Sequence, residues 1–383
     1  MYNIYEETGE IMKKPLYQIV YEKLEKQIIK KEWKLNEKLP SESELASQFN
    51  VSSITIKRAL NELKNQGYLS RKPKEGTIVI SNKGKITNTQ KLELHKFTIG
   101  LIVTNLDDTF GTNILNGILD HCPPGVNIIL KKTMGNEKKE DEIIREFIQS
   151  DIDGIILLPS SSQFLAPTIL DLAAKKFPII VIDRTLNNLP ISCITSNNIE
   201  AAEKLTSYLM ELGHKNIGIL TSTNLVSSVK ERIQGYIQAH AANQVKMDQA
   251  LQQSFIQSVI PNYYESIKSD QKKIMNFIQS QPQMTAIVAA EYNIAQLIKQ
   301  ACQQIDKNIP NELSICCFDY PANLFSKEDV AFTHIEQQQY EMGEAAVKQV
   351  LQQIQSPEKI IKKVLNGRLK LGISTTFISK KRN

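Results

Sequence analysis

Polar and apolar positions keep two different rhythms along this chain, and the rhythm changes near residue 97. Before that point the apolar residues hold helical spacing. Leu16, Val20, Leu24 and Ile28 recur every four positions between Pro15 and Lys31, Leu45 and Phe49 share a face, and Ile56, Ala59, Leu60 and Leu63 make a narrow stripe. Three helices follow from that spacing, and local chemistry marks their ends. Pro15 suits a first helical position. Ser41, with Glu44 three residues on, forms a Ser-x-x-Glu capping box. Asn50 suits the break after the second helix, Ser52 or Ser53 can cap the third, and Gly67 stands where a helix ends on a left-handed residue. Tyr68–Ser70 and Thr77–Ile80 read as two short strands, joined by a turn that carries Arg71, Lys72, Lys74 and Gly76.

From Phe97 onward short apolar runs alternate with amphipathic helical patterns. Strands are expected at Phe97–Thr104, Val126–Leu130, Gly154–Leu158, Pro178–Ile182, Ile191–Thr195, Ile217–Thr221, Thr285–Ala289 and Leu313–Phe318. Helices are expected at Thr112–His121, Glu137–Gln149, Ile199–Leu212, Val229–Ala239, Ile267–Ser280 and Ile294–Ile305. Strands without strict alternation are buried on both faces, and strand–helix–strand repetition gives parallel, doubly wound sheets. The stretch exceeds one comfortable α/β sheet, so two lobes are expected. The resulting domain plan is a disordered leader at residues 1–12, a helical head with a hairpin at 13–80, a polar linker at 81–96 and a two-lobed α/β body at 97–383. Met12 is an alternative start to Met1.

Charge changes this picture most. Between residues 13 and 85 sixteen Lys and Arg face eight Glu and no Asp; residues 1–12 hold three glutamates, and the whole chain is +5, so the remaining residues 86–383 sum to zero. A basic head on a neutral body is the footprint of a nucleic-acid-binding module joined to something else. No apolar run approaches the length of a membrane span and the N-terminus is acidic and polar, so no signal peptide, no membrane partner and a cytoplasmic location are expected. Five cysteines without metal-type spacing fit a reducing interior, with neither a metal site nor a cofactor expected.

In the head, residues 42–61 read as a helix-turn-helix. Its second helix leaves Ser53, Thr55, Lys57, Arg58, Asn61 and Lys64 outside its apolar stripe. Small hydroxyls and cations at the outer N-terminal half of that helix, beside a basic hairpin tip, suit the grooves of double-stranded DNA. The segment resembles the winged helix-turn-helix of GntR-type bacterial regulators through Pro15-Leu16-Tyr17, Leu39-Pro40-Ser41-Glu42, Glu44-Leu45-Ala46, Val51-Ser52, Thr55, Ala59-Leu60, Leu63, Gly67 and Gly76-Thr77. Ser53 and Lys57 depart from it, standing where that family usually has arginines. The DNA-binding residues expected on these grounds are Ser41, Ser52, Ser53, Thr55, Lys57, Arg58, Arg71, Lys72 and Gly76.

In the body, ligands of doubly wound sheets sit beyond the carboxyl ends of the strands. Polar residues gather there: Asp183-Arg184 after one strand, Glu291 after another, Asp319 after a third, Gln337 after the apolar pass Thr333-His334-Ile335, and Arg232 in the helix after Ile217–Thr221. Phe110 lies in the turn after the first strand. Carboxylates and a guanidinium fork suit the hydroxyls of a small sugar, and an aromatic ring covers its apolar face. Residues 97–383 resemble the effector domain of LacI/GalR-type repressors, itself similar to periplasmic sugar-binding proteins. The resemblance rests on Ile99-Gly100-Leu101-Ile102, Asp153-Gly154-Ile155-Ile156, Val181-Ile182-Asp183-Arg184, Leu212-Gly213-His214, Arg232-x-x-Gly235-Tyr236, Leu313-Ser314-Ile315 with Asp319, and Ile335-x-Gln337. It implies effector contacts by Asp183, Arg232, Asp319 and Gln337, to which position adds Phe110, Arg184 and Glu291. Glu291 departs from the Asn-Asp often found there, and Gly372 replaces a common arginine.

A GntR-type head on a LacI-type body implies a homodimeric repressor of carbohydrate utilisation genes, released from its operator by a small sugar, with L-arabinose a candidate. Two other readings stand beside it: a regulator responding to a non-sugar effector, and an enzymatic body of the aminotransferase kind fused to the same head. The latter needs a cofactor-binding lysine at a strand end, and none stands out. No P-loop, Gly-x-Gly-x-x-Gly fingerprint or Gly-x-Ser-x-Gly elbow occurs, and the five scattered histidines read as structural.

Overall fold

The computed structural model describes residues 16–72, 76–82, 97–162, 166–186, 189–321 and 331–378. The leader 1–12, Pro15, Lys74 and all but the first two residues of the linker 81–96 lie outside them. The chain forms two compact units, Met1–His95 and Lys96–Asn383.

The head is built as its spacing dictates. Three helices, α1 (Leu16–Ile29), α2 (Glu42–Phe49) and α3 (Ser53–Asn65), precede an antiparallel hairpin of β1 (Leu69–Lys72) and β2 (Gly76–Val79). Val20, Leu24, Ile28, Leu45, Ile56, Leu60 and Leu63 close one core with Tyr68, Leu69 and Val79. The capping box is complete: the Glu44 amide donates to Ser41 Oγ and the Ser41 amide donates to Glu44 Oε2 at 2.7 Å. Asn50 ends α2 in the left-handed conformation at φ 53°, Ser52 caps α3, and Gly67 takes φ 78°. Leu16 departs from the expected stripe and is 61% exposed. A four-residue repeat drifts about 40° per step around a helix of 3.6 residues per turn, so the first member has turned off the buried face.

The body holds two parallel sheets with the same winding. In the first lobe β3 (Phe97–Val103), β4 (Val126–Lys132), β5 (Gly154–Leu157), β6 (Ile179–Ile182), β7 (Ser192–Ser196) and β13 (Lys362–Leu365) lie in the order β13-β7-β6-β5-β3-β4. In the second, β8 (Ile217–Ser222), β9 (Gln252–Ile256), β10 (Ala286–Ala289), β11 (Ser314–Phe318), β12 (Thr333–Glu336) and β14 (Arg368–Lys370) lie in the order β14-β12-β11-β10-β8-β9. Only β14 is antiparallel to its neighbour among these pairings. The central strands are buried throughout, as their unbroken Ile, Val and Leu runs require.

Helices cover both faces: α4 (Thr112–Asp120), α5 (Glu137–Gln149), α6 (Pro167–Ala174), α7 (Asn198–Glu211), α8 (Ser227–Ala242), α9 (Ile267–Ser280), α10 (Tyr292–Gln304) and α11 (Gln339–Gln355). The chain crosses between lobes three times, at residues 196–198, 336–339 and 365–368. Each lobe is therefore completed by a segment that follows the other: α7, after β7, packs in the second lobe, while α11, after β12, packs on α4 and the first sheet. Close helix crossings carry this exchange. A Cβ on Gly117 of α4 would meet the Tyr340 carbonyl at 2.1 Å, and one on Gly343 of α11 would meet the Ile114 carbonyl at 2.1 Å. The eight expected strands and six expected helices are present, the helices Glu137–Gln149 and Ile267–Ser280 with the expected bounds and the others with shifted ends. The helices α6 and α11 and the strands β9, β12, β13 and β14 are additional to them. Among the described residues no helix is long and apolar enough to cross a membrane.

Candidate functional site

Two surfaces answer to the sequence reading, one on the head and one in the body. On the head, Ser41 and Ser52 are occupied as helix caps, and the Ser52 hydroxyl also lies 2.8 Å from that of Thr55. Ser53 and Lys57 are exposed on α3. Arg58 is engaged within the head, its guanidinium 3.8 Å from the centre of the Tyr17 ring. Arg71 donates to Asn61 and pairs with Glu42, which fixes the hairpin against α2 and α3. Lys72 ends β1 in register with Gly76, whose φ of 90° permits the turn into β2. Most of the expected contacts thus lie on α3 and the hairpin, and both arginines among them, Arg58 and Arg71, hold the head together.

In the body the carboxyl ends of both sheets face one cleft. Asp183 follows β6 and Asp319 follows β11, each the fourth strand of its lobe. Both adopt φ 63°, a left-handed conformation that Asp tolerates better than most residues. Each amide donates 2.9 Å to the fifth strand, Asp183 to Ile194 and Asp319 to Ile335. The two carboxylates then differ. Asp319 receives Gln337 Nε2 at 2.6 Å and Gln339 Nε2 at 3.0 Å. Asp183 has Arg184 Nε at 3.6 Å from Oδ2, and its buried Oδ1 has no partner among the described residues. The Gln337 Oε1 and Arg184 Nε atoms are likewise buried and without a hydrogen-bond partner there.

Arg232 is the hub of the second lobe. Its Nε donates to Asn198 Oδ1 at 3.0 Å, its Nη1 donates to the Ala290 carbonyl at 2.6 Å, and its guanidinium lies 4.1 Å from the centre of the Phe318 ring. These bonds bring the ends of β10 and β11 and the start of α7 to one cation. Glu291, at the N-cap of α10, makes no capping bond; burial pushes its carboxyl up to about 7, against the pull of Arg232 and then Arg184. Burial also pushes Asp319 up to about 6, opposed by Arg232 and by the two glutamine bonds. On the first lobe Arg184 donates to the Pro159 carbonyl. Glu140 is buried beside it, accepting from the Ser160 amide at 2.6 Å, and its carboxyl is raised by burial. Phe110 packs against the core of the first lobe. Six of the seven residues expected here, Asp183, Arg184, Arg232, Glu291, Asp319 and Gln337, are therefore brought together through their charges and hydrogen bonds.

Four further residues belong to the cleft and were absent from the sequence expectation. Gln339 spans the lobes: besides Asp319 it donates to the Thr109 carbonyl at 2.8 Å and accepts from the Gly111 amide at 3.0 Å. Ser227 does the same, accepting from the Thr185 amide at 2.9 Å while its own amide donates to Ser162 at 2.8 Å. Asn198 orients Arg232, and Glu140 lies behind Arg184. Only Gln339 carried a sequence signal, two residues beyond Ile335-x-Gln337. His214 is structural as expected, buried between Thr285 Oγ1 at 2.9 Å and the Thr376 carbonyl at 3.0 Å. Cys316 and Cys317 are buried side by side in β11 with no disulfide. No cluster of metal-ligating side chains occurs among the described residues.

Comparison with known proteins agrees with this division. Residues 16–79 match the bacterial regulatory proteins of the gntR family, and residues 99–358 match the periplasmic binding protein domain. An arabinose metabolism transcriptional repressor from Geobacillus stearothermophilus is 26% identical over 340 residues, covering 86% of this chain and 88% of that protein. A ribose operon repressor from Haemophilus influenzae is 27% identical over 263 residues, covering 68% of this chain and 76% of that protein. Among solved structures, a LacI family transcriptional regulator from Enterococcus faecium with bound ribose superposes with a TM-score of 0.61 at 22% identity, covering 74% of this chain and all of that one (100%).

Proposed function

We propose that this chain, which belongs to the periplasmic binding protein domain family through residues 99–358 and carries a gntR-family head at residues 16–79, represses carbohydrate utilisation genes and leaves its operator when a sugar fills the cleft. The observation that carries the reading is the set of buried polar atoms without a hydrogen-bond partner at the ends of the two sheets, Asp183 Oδ1, Gln337 Oε1 and Arg184 Nε. Two acceptors and one donor left in a buried site call for a ligand rich in hydroxyls, since each hydroxyl can both donate and accept. Asp183, Arg184, Arg232, Glu291, Asp319 and Gln337 then hold a neutral monosaccharide, with Phe110 against its apolar face. L-arabinose is the first sugar to test, because the relative from Geobacillus stearothermophilus is named for arabinose metabolism.

The head reads double-stranded operator DNA through α3 and its hairpin, with Ser41, Ser52, Ser53, Thr55, Lys57, Arg58, Arg71, Lys72 and Gly76 as its contact set. One recognition helix per chain requires a homodimer on two half-sites about one helical turn apart. Each phosphate contact adds about 0.9 to the slope of log affinity against log salt. Sugar binding closes the lobes and changes the spacing of the heads, a coupling of about 5- to 150-fold in operator affinity. Calorimetry of the full chain against a panel of pentoses, hexoses, sugar phosphates and purines tests the ligand, and operator titration with and without the binding sugar tests the sign. A panel in which only phosphates or purines bind overturns the sugar reading, and a sugar that tightens the operator complex overturns release.

A further inference from the structure

The outer face of α3 carries a residue that the charge pattern does not account for. Ile56, Ala59, Leu60 and Leu63 are fully buried, so the opposite stripe at helical spacing is Ile54, Lys57, Arg58 and Asn61. Ile54 is 80% exposed, more than any other large apolar side chain among the described residues. It sits at the second position of the helix, in the N-terminal turn that reaches base edges when such a helix enters the major groove. Its polar neighbours are in part already engaged. The Ser52 and Thr55 hydroxyls are 2.8 Å apart, Arg58 is stacked on Tyr17, and Asn61 accepts from Arg71. That leaves Ser53, Ile54 and Lys57 as the outward groups of the turn.

An isoleucine side chain neither donates nor accepts a hydrogen bond. Of the features that the four base pairs present in the major groove, only the 5-methyl group of thymine offers it an apolar contact. Resting on the operator-binding reading above, we propose that Ile54 packs against a thymine methyl in each half-site and sets the base preference of this chain at that position. Lys57, one turn along the same face, holds the adjacent backbone and keeps the isoleucine over the base. The exposed isoleucine is thereby a reading head for a methyl group, where the cations supply affinity for any duplex.

The test begins with selection of a preferred duplex from random DNA by the full-length chain. Each thymine of the selected site is then replaced by deoxyuridine, which removes the methyl and leaves pairing intact. For the wild type, one symmetric pair of positions should lose affinity by about fourfold per half-site, the worth of burying one methyl-sized group, and all other thymines should be silent. Ile54→Ala should bind the thymine duplex as weakly as the wild type binds the uracil duplex, and should lose no more on uracil. Ile54→Val should restore most of the sensitivity. The residue is 80% exposed, so both variants should keep the wild-type thermal midpoint, and a shifted midpoint shows that Ile54 serves the fold instead. A selected duplex that tolerates uracil everywhere, or that loses equally with Ile54→Ala, overturns the assignment while operator binding stands. Selection that enriches no duplex overturns both.

Discussion

The two lobes carry the same aspartate in the same place and use it for opposite ends. Asp183 and Asp319 each follow the fourth strand of their sheet, share φ 63° and tie their amides to the fifth strand. Asp319 spends both oxygens on Gln337 and Gln339, and through Gln339 it is joined to Thr109 and Gly111 of the first lobe. Asp183 keeps Oδ1 free of hydrogen-bond partners among the described residues. Backbone geometry alone therefore does not assign a role. What separates a carboxylate held by the protein from one with an open oxygen is whether glutamines from the crossing segment 336–339 arrive to saturate it. Polar groups that the fold leaves unsatisfied when buried are the ones available to a ligand, because an unmet hydrogen bond there is costly.

Removing the held carboxylate should have the largest effect. Asp319→Ala strands two buried amide donors, and at about 1–3 kcal/mol for each unmet group the variant should lose several degrees of thermal midpoint along with ligand binding. A variant as stable as the wild type would sink the distinction between the two aspartates. Asp183→Asn keeps the volume and tolerates the same backbone conformation. It should weaken sugar binding about ten- to hundredfold, the worth of a charge-assisted hydrogen bond, while stability and operator affinity stay near wild type. Calorimetry beside a melt separates the two readouts. Smaller again is Gln339→Ala, which removes the bridge but leaves Gln337 on Asp319; a loss of about 1 kcal/mol is expected, with closure by ligand made harder. A hydrogen-exchange comparison of the 105–111 loop should find it less protected, and unchanged protection would mean the bridge is decorative.

The same network also carries a pH dependence. Burial raises Glu291 to about 7 from an ordinary 4.5, so the folded protein binds a proton there that the unfolded chain releases. That contribution to stability is complete below the unfolded value and is lost as pH climbs through the folded one. Glu291→Gln should therefore gain on the wild type in thermal midpoint as pH rises from about 4.5 to 7 and hold a constant lead above. A lead that instead shrinks with rising pH would place the carboxylate in a stabilising ion pair. Asp319, raised to about 6, adds to the wild-type trend with the same sign.

Much of this was legible in the sequence where chemistry is local. The Ser41 and Glu44 box, the left-handed Asn50 and the buried stripe of α3 each depend on residues within four positions of one another. The cleft residues were legible because a doubly wound sheet puts every strand end on one side. What escaped was non-local or disguised. The helix α11 is rich in glutamine, and Gln339, Gln349 and Gln353 are buried in it, so its polarity hid an apolar stripe of Met342, Ala346 and Val350. Nothing in the spacing says that Arg58 lies on Tyr17 or that Arg71 reaches Glu42, since those contacts join distant turns of the head. Leu16 failed because a four-residue repeat is only an approximation to the helical period.

The exchange of segments between the lobes has a genetic consequence. Neither lobe is written as one continuous stretch: the first needs residues 97–196 together with 339–365, and the second needs 198–336 together with 368–378. A stop codon anywhere before β13 deprives the first sheet of its edge strand, and one before α11 also removes the helix that seals it. Truncated alleles should then be null, whereas, on the proposal that a bound sugar releases the operator, alleles that lock the repressor there should be single replacements at Asp183 or Arg232. In a screen for mutants blind to the inducer, the reading frame should survive in every isolate.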